Sequence, residues 1–187
     1  GRAPYLLRKR QGGAPVAIQS MNNTRTQDIP ATLAQLEALA AAGCQIGRLA
    51  VPDWEAVQAL DKLVAKSPLP LVADIHFDYR LALGAVASGV AGLRLNPGNI
   101  GGEDRVAQVA RAAKAAGVPI RIGVNGGSLD KVLLAKYGGV TAEAMCESAL
   151  TQAAQLERCG FTDIKISLKC TSLPVMLAAY RQMARTT

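Results

Sequence analysis

The feature that most constrains the fold is a regular alternation of short strand-like runs and longer helix-like segments. Six runs are rich in β-branched and aliphatic residues: PVAIQS, QIGRLAV, PLVADIH, AGLRLN, PIRIGVN and DIKISLK. The intervening Ala- and Leu-rich segments have helical spacing and lie at about 30–42, 54–66, 79–88, 103–116, 142–159 and 173–185. Strands that alternate with helices in this way predict βαβ units and a parallel sheet.

Residues that commonly begin and end helices flank these segments. The candidate N-caps, whose side chains can accept from the first backbone N–H groups, are Asp53, Asp78, Thr141 and Ser172. The glycines that stand where a left-handed residue ends a helix are Gly43, Gly89, Gly117 and Gly160. The predicted helix boundaries therefore do not depend on hydrophobic spacing alone.

A weak internal repeat links these glycines to basic residues inside the strands. A basic residue follows the glycine after five positions in three units, at Arg48, Arg94 and Lys165, and after four positions at Arg121. Side chains alternate across a strand, so polar residues two positions apart share one face, as they do in four of the strands. The polar sets are Asp74 with His76, Arg94 with Asn96, Arg121 with Gly123 and Asn125, and Lys165 with Ser167 and Lys169.

Polar residues on one face of several parallel strands favour a barrel over an open doubly wound sheet. Both faces of an open sheet are covered by helices, and its strands tend to be apolar throughout. The predicted fold is therefore α/β, a (β/α)8 TIM-type barrel of which about six βα units are present. Closure takes eight units, so residues 14–187 are expected to form a partial barrel of a longer protein, preceded by an N-terminal extension at 1–13.

The balance of charge points to an anionic ligand. The chain has 21 Lys and Arg against 14 Asp and Glu, a formal net charge of +7. Four basic residues on different strands are predicted to form a cationic ring at one mouth of the barrel: Arg48, Arg94, Arg121 and Lys169. The alternative is that each pairs with an internal acid, for which Asp74 is the inward candidate. The loops NPGNIGG and NGGS follow two strands, and their backbone N–H groups suit anionic oxygens.

Other residue types narrow the chemistry. His76 is the only histidine in the sequence. It is either a structural hydrogen-bonding residue or a functional residue whose tautomer and pKa are influenced by the carboxylate of Asp74. The cysteines are Cys44, Cys146, Cys159 and Cys170, and no two of them form a C-x-x-C pair. This spacing predicts reduced structural thiols, no metal site and a cytoplasmic protein. No apolar run reaches the roughly 18 residues of a membrane span, and the N-terminus lacks the apolar region of a signal peptide.

Several motifs together resemble one enzyme family. The segments APVAIQSMNNTRTQD, LPLVADIHFDYRLAL, LRLNPGNIG, PIRIGVNGGSL and KISLKCT closely resemble the 4-hydroxy-3-methylbut-2-enyl diphosphate synthases. These are iron–sulfur oxidoreductases of the methylerythritol phosphate route to isoprenoids. The resemblance implies a barrel that binds 2-C-methyl-D-erythritol 2,4-cyclodiphosphate. It also implies a C-terminal [4Fe–4S] domain that supplies two electrons for ring opening and loss of water, with ferredoxin or flavodoxin as the electron donor.

The resemblance also assigns a binding site. The family's diphosphate-binding basic residues correspond to Arg48, Arg94, Arg121 and Lys169. Its polar substrate contacts correspond to Asp74, His76, Asn96, Asn125 and Ser167. Ala50 departs from the family, which usually has serine there, and the paired-cysteine motif, the last two barrel strands and a following glutamate are not found. No catalytic residue or metal ligand is therefore assigned to this chain, which alone is expected to be inactive and to form a homo-oligomer through its exposed edges.

Two other readings of the residues remain. A pteridine-binding barrel similar to dihydropteroate synthase would also have an anion-binding mouth. A non-catalytic binder of anions or nucleic acid would instead use the positive charge on its outer surface. Nucleic-acid binding is disfavoured because only 4% of the residues are aromatic and because the suggestive basic residues lie inside strands.

Overall fold

The computed structural model describes residues 16–186, in which strands alternate with helices and two α-helices lie between the last two strands. The strands are β1 (Gln19–Met21), β2 (Ile46–Ala50), β3 (Leu71–Asp74), β4 (Gly92–Leu95), β5 (Ile120–Asn125) and β6 (Ile164–Lys169). The helices are α1 (Ile29–Ala41), α2 (Trp54–Lys66), α3 (Tyr79–Ala87), α4 (Glu103–Ala116), α5 (Lys131–Tyr137), α6 (Ala142–Arg158) and α7 (Leu173–Thr186). The predicted extension at 1–13 lies outside the described residues.

The six strands are all parallel and stand in the sheet in the order of the sequence. Each strand pairs with the next one along the chain, and each connection passes through a helix. A doubly wound sheet would reverse its order at a switch point, whereas a (β/α) barrel keeps the order of the chain. The predicted fold class is therefore confirmed: the described residues form a six-stranded part of a TIM-type barrel, with β1 and β6 as its outer strands.

The apolar core lies between the strands and the surrounding helices. Leu93, Leu95, Ile120 and Ile122, which alternate with the arginines of β4 and β5, are essentially inaccessible to solvent. They belong to one apolar cluster with residues of the helices, among them Val109 of α4. Burial of apolar area contributes about 25 cal/mol per Å², which makes this layer the main stabilising element of the fold. It also holds the opposite, polar faces of the strands toward a common interior.

The predicted helix ends agree closely with the structure. Among the predicted N-caps, Asp53, Asp78 and Thr141 each accept a backbone N–H of the first helical turn. The four predicted terminating glycines all have positive φ, between 64° and 89°. This left-handed conformation costs glycine little because it has no Cβ. Every helix within 16–186 is too short or too polar to cross a membrane.

Two elements differ from the sequence prediction. β1 begins at Gln19, later than the predicted run PVAIQS, because its pairing with β2 starts only where Gln19 is level with Ile46. Helix α5 was not predicted. It has seven residues and is capped by Asp130. None of them is fully buried, although Leu134 and Tyr137 pack partly buried against the core, so its apolar pattern is too short to identify it.

Candidate anion-binding site

The carboxylate of Asp74 is the centre of the predicted site. It stands at the last position of β3, and only 2% of its surface is exposed. One oxygen, Oδ2, lies 3.1 Å from Nη2 of Arg48 on β2, and the other, Oδ1, accepts from Nη1 of Arg94 on β4 at 3.2 Å. The alternative of internal ion pairs is thus correct for Arg48 and Arg94, which share one acid.

Arg121 is in a different situation. Its Cα is in register with that of Arg94, which is itself in register with Asp74. Among the described residues, the buried Nε of Arg121 has no hydrogen-bond partner. Burial lowers the pKa of Arg121 from its ordinary value, and the positive charges of Arg48 and Arg94 lower it further. We call Arg48, Arg94, Arg121 and Asp74 the arginine cluster; three guanidinium groups and one carboxylate give it a net charge of +2.

Contacts with neighbouring strands fix the two paired guanidinium groups. The Nε of Arg48 donates to the thioether sulfur of Met21 on β1 at 2.9 Å. Nη2 of Arg94 donates to the backbone carbonyl of Gly123 on β5 at 3.2 Å. The N–H of Gly123 in turn donates to Oδ1 of Asn96 at 3.0 Å. Gly123 lies on the predicted polar face of its strand, but the sequence assigns it no role.

Lys169 lies at a different height from the arginine cluster. It is in register with Asn125, four residues beyond Arg121, which corresponds to roughly 13 Å along the strand. Of the four basic residues predicted at one mouth of the barrel, Lys169 therefore lies farther toward the C-terminal end of the sheet than Arg121. The residue in register with Arg121 on β6 is Lys165. The glycine-to-basic repeat in the sequence already contained Lys165, and we could have identified it from that signal.

The remaining predicted residues lie along the C-terminal ends of the strands. His76 follows β3, is half exposed, and has its Nε2 4.0 Å from Oδ1 of Asp74. The side chain of Asn125 accepts the N–H of Gly127 and caps the short turn after β5. Ser167 Oγ lies 3.4 Å from the carbonyl of Ile122. These polar groups border the arginine cluster on the side where TIM barrels place their active sites.

The thiols in the described part of the chain do not fit an iron–sulfur cluster. A cluster needs several thiolates that converge on it. Three of the thiols instead contact backbone carbonyls: Cys44 that of Ile46, Cys146 that of Ala179, and Cys170 that of Ser172. Within residues 16–186, no group of three or more His, Cys, Asp or Glu is placed to hold a metal ion.

Likeness to solved structures concerns the fold. A dihydropteroate synthase from Yersinia pestis superimposes with a TM-score of 0.61 at 11% sequence identity, covering 97% of this chain and 70% of that one. A phospho-2-dehydro-3-deoxyheptonate aldolase from Thermotoga maritima gives a TM-score of 0.59 at 10% identity, covering 90% and 48%. At such low identity these matches carry no information on the ligand, but they agree with a barrel.

Sequence comparison is more specific. A protein of Maridesulfovibrio salexigens is 60% identical over 173 residues, and one of Geobacter sulfurreducens is 57% identical over 174 residues. Both are named 4-hydroxy-3-methylbut-2-en-1-yl diphosphate synthase (flavodoxin). The matches cover 92% and 93% of this chain but 48% and 49% of the relatives, so the chain spans about half of their length. The GcpE TIM-barrel domain matches residues 9–187, and the chain therefore belongs to the GcpE family.

Proposed function

We propose that this chain is the substrate-binding barrel of a 4-hydroxy-3-methylbut-2-en-1-yl diphosphate synthase. The substrate would be 2-C-methyl-D-erythritol 2,4-cyclodiphosphate, whose two phosphoryl groups bind at the arginine cluster. The whole protein would open this ring reductively, as an oxidoreductase of isoprenoid biosynthesis. The names of the relatives support the reaction, and the charge of the cluster supports the site.

The observation that carries the proposal is the imbalance of charge around Asp74. One carboxylate cannot neutralise three guanidinium groups, and a half-buried, unneutralised guanidinium is costly without an anion. Arg121 is the group left over, with a buried Nε that lacks a partner in the described structure. Guanidinium groups match phosphate oxygens in geometry as well as charge. A diphosphate bound beside Arg121 would supply the missing negative charge.

The polar groups beyond the cluster would hold the rest of the substrate. We assign substrate contacts to Asn96, Asn125, Ser167, Lys169 and the half-exposed His76. Lys169, which is farther along the sheet than the arginines, would contact a part of the substrate distant from Arg121. Asp74 would act on the substrate through Arg48 and Arg94, because its two oxygens are already engaged by an ion pair with Arg48 and a hydrogen bond from Arg94.

The electron-transfer part of the reaction is assigned outside this chain. The described thiols do not fit a [4Fe–4S] cluster, so we place the cluster ligands elsewhere in the whole protein. The relatives' names support flavodoxin as the electron donor. We further propose a cytoplasmic protein that forms homo-oligomers.

Titration with substrate tests the binding site directly. Calorimetry on the full-length protein should show binding of the cyclodiphosphate, and Arg121→Gln should weaken it by about 10- to 100-fold, as expected for the loss of a charge-assisted hydrogen bond. Arg111→Gln is the matched control, because Arg111 is an exposed arginine of α4. Equal affinities of Arg121→Gln and the unaltered protein would refute the assignment, as would the absence of binding in the unaltered protein.

A further inference from the structure

Gly123 occupies a position at which the structure has no room for a side chain. A Cβ built on it would lie 2.6 Å from both Nε and Nη2 of Arg94 and 3.0 Å from its Cζ. Real Cβ atoms do not approach heavy atoms this closely. The backbone itself does not demand glycine, because Gly123 is not among the residues with positive φ. The space above its Cα is therefore filled by the guanidinium group of Arg94.

The same contact completes the hydrogen bonding of β5. β4 ends at Leu95, whereas β5 continues to Asn125, and the pairing between them reaches Ile122. At Gly123, side chains of the β4 segment replace its backbone: Oδ1 of Asn96 accepts the N–H, and Nη2 of Arg94 donates to the carbonyl. Backbone groups inside a protein need such partners. Both polar groups of Gly123 are thus satisfied from the β4 side.

Arg94 is consequently held from two directions. Its Nη1 donates to Asp74 on β3, and its Nη2 donates to Gly123 on β5, both at 3.2 Å. Its planar group therefore extends over β5, the strand that carries Arg121 two residues earlier. The position of Arg94 relative to Arg121 depends on β5 having no side chain at 123.

We propose that Gly123 is a positioning residue of the anion-binding site, which sets the direction of the Arg94 guanidinium group toward a bound diphosphate. The proposal rests on the diphosphate-binding function inferred above and names the residue that arranges its arginines. A methyl group at 123 pushes Arg94 away from the Gly123 carbonyl and misaligns its N–H groups with the phosphate oxygens. Binding that needs two guanidinium groups in fixed relative positions is weakened as a result.

The role in binding is separable from a role in folding. The atoms that a Cβ at 123 would meet belong to the far end of a flexible side chain and not to the backbone. Arg94 can therefore turn aside, and the strand keeps its place in the sheet. Alanine in a strand also loses less conformational entropy on folding than glycine does. We expect Gly123→Ala to remain folded, with a modest loss of thermal stability because the carbonyl of residue 123 loses its donor, while its anion affinity falls.

The experiment is a double-mutant cycle on the full-length protein with inorganic pyrophosphate as the probe, read by calorimetry. Gly123→Ala should bind about 10- to 100-fold more weakly than the unaltered protein, the loss expected for one charge-assisted hydrogen bond. In an Arg94→Ala background the same change should have no further effect, because the guanidinium group that it displaces is gone. Gly92→Ala is the control, since this strand glycine of β4 faces Val72 and Pro119 and no arginine.

Three readouts separate the possible results. Undiminished affinity in Gly123→Ala, or an equal loss in the Arg94→Ala background, overturns the positioning role while pyrophosphate binding by the unaltered protein leaves the proposed function intact. Failure of the unaltered protein to bind pyrophosphate contradicts the proposed function instead. In that case a crystal structure of Gly123→Ala still decides the positioning role: Arg94 should leave its 3.2 Å contact with the residue 123 carbonyl, and an unmoved Arg94 refutes it.

Discussion

Replacing Asp74 by asparagine removes the one negative charge of the arginine cluster with almost no change of shape. In the unaltered protein each carboxylate oxygen faces a different guanidinium group, at 3.1 Å from Arg48 and 3.2 Å from Arg94. Asparagine keeps one carbonyl oxygen as an acceptor, but its amide nitrogen is a donor and points N–H groups at a cation. Asp74→Asn should therefore lower the free energy of unfolding.

The magnitude follows from the two contacts and their exposure. The hydrogen bond from Arg94 contributes about 1.5–3 kcal/mol, and the ion pair with Arg48, taken at no more than the same value, sets an upper range of about 3–6 kcal/mol. The guanidinium side chains of Arg48 and Arg94 are 24% and 16% exposed, so water compensates part of the loss. The retained acceptor and the relief from burying a carboxylate reduce it further. We expect a loss of about 2–4 kcal/mol.

Urea unfolding followed by circular dichroism measures this loss, with Asp61→Asn as the control because Asp61 is an exposed aspartate of α2. The control should stay within about 0.5 kcal/mol of the unaltered protein. Raising the NaCl concentration from about 0.1 to 1 M should reduce the difference in free energy of unfolding between Asp74→Asn and the unaltered protein, since salt screens the repulsion among the three remaining cations. A loss no larger than that of the control would refute the idea that one acid holds two arginines.

Two further outcomes are expected. Burial raises the pKa of the Cys146 thiol, and the nearby Glu143 adds to the shift. A group whose pKa is raised on folding contributes stability below its unfolded-state pKa, here about 8.5, and loses that contribution as the pH rises through its folded-state pKa. Above about pH 8.5 the thermal stability of the unaltered protein should therefore fall more steeply than that of Cys146→Ala. A reductive assay of the isolated 187-residue chain with the cyclodiphosphate and an artificial electron donor should show no turnover, because its described thiols do not converge on a cluster; measurable product would contradict the assignment of the cluster ligands outside this chain.

Most of the fold was predictable because local signals and the hydrophobic pattern agree. Helices α2 and α4 have the predicted bounds, and their ends coincide with the Asp53 cap and with Gly117 in the left-handed region. Helix α5 was missed because it is short and packs only Leu134 and Tyr137, partly buried, against the core, so its clearest local signals are Asp130 before it and Gly138 after it. Periodicity reports burial, and it is weak where a short element buries little.

The site was predictable as a set of residues but not as a set of contacts. Alternation along the strands correctly placed Arg94 and Arg121 on the same side of the sheet. It could not show that Asp74 pairs with two of the arginines and leaves the third, since that depends on side-chain reach between strands. It also gave no role to Gly123, because the importance of a missing side chain appears only when a neighbouring residue fills the space.

The distribution of partners would allow the chain to fold with three arginines in its interior and still bind the proposed diphosphate. If three acids neutralised the three arginines, the protein would fold stably, but the cluster would attract no diphosphate. If no acid were present, the mutual repulsion of the guanidinium groups would lower the free energy of unfolding. Asp74 holds Arg48 and Arg94 in place, and Gly123 directs Arg94 over β5 beside Arg121. The net positive charge that remains is then available to a ligand. Changes at Arg121 should therefore shift the stability of the ligand-free protein and its affinity for the ligand in opposite directions. Arg121→Gln should unfold at a higher urea concentration than the unaltered protein and should bind diphosphate more weakly.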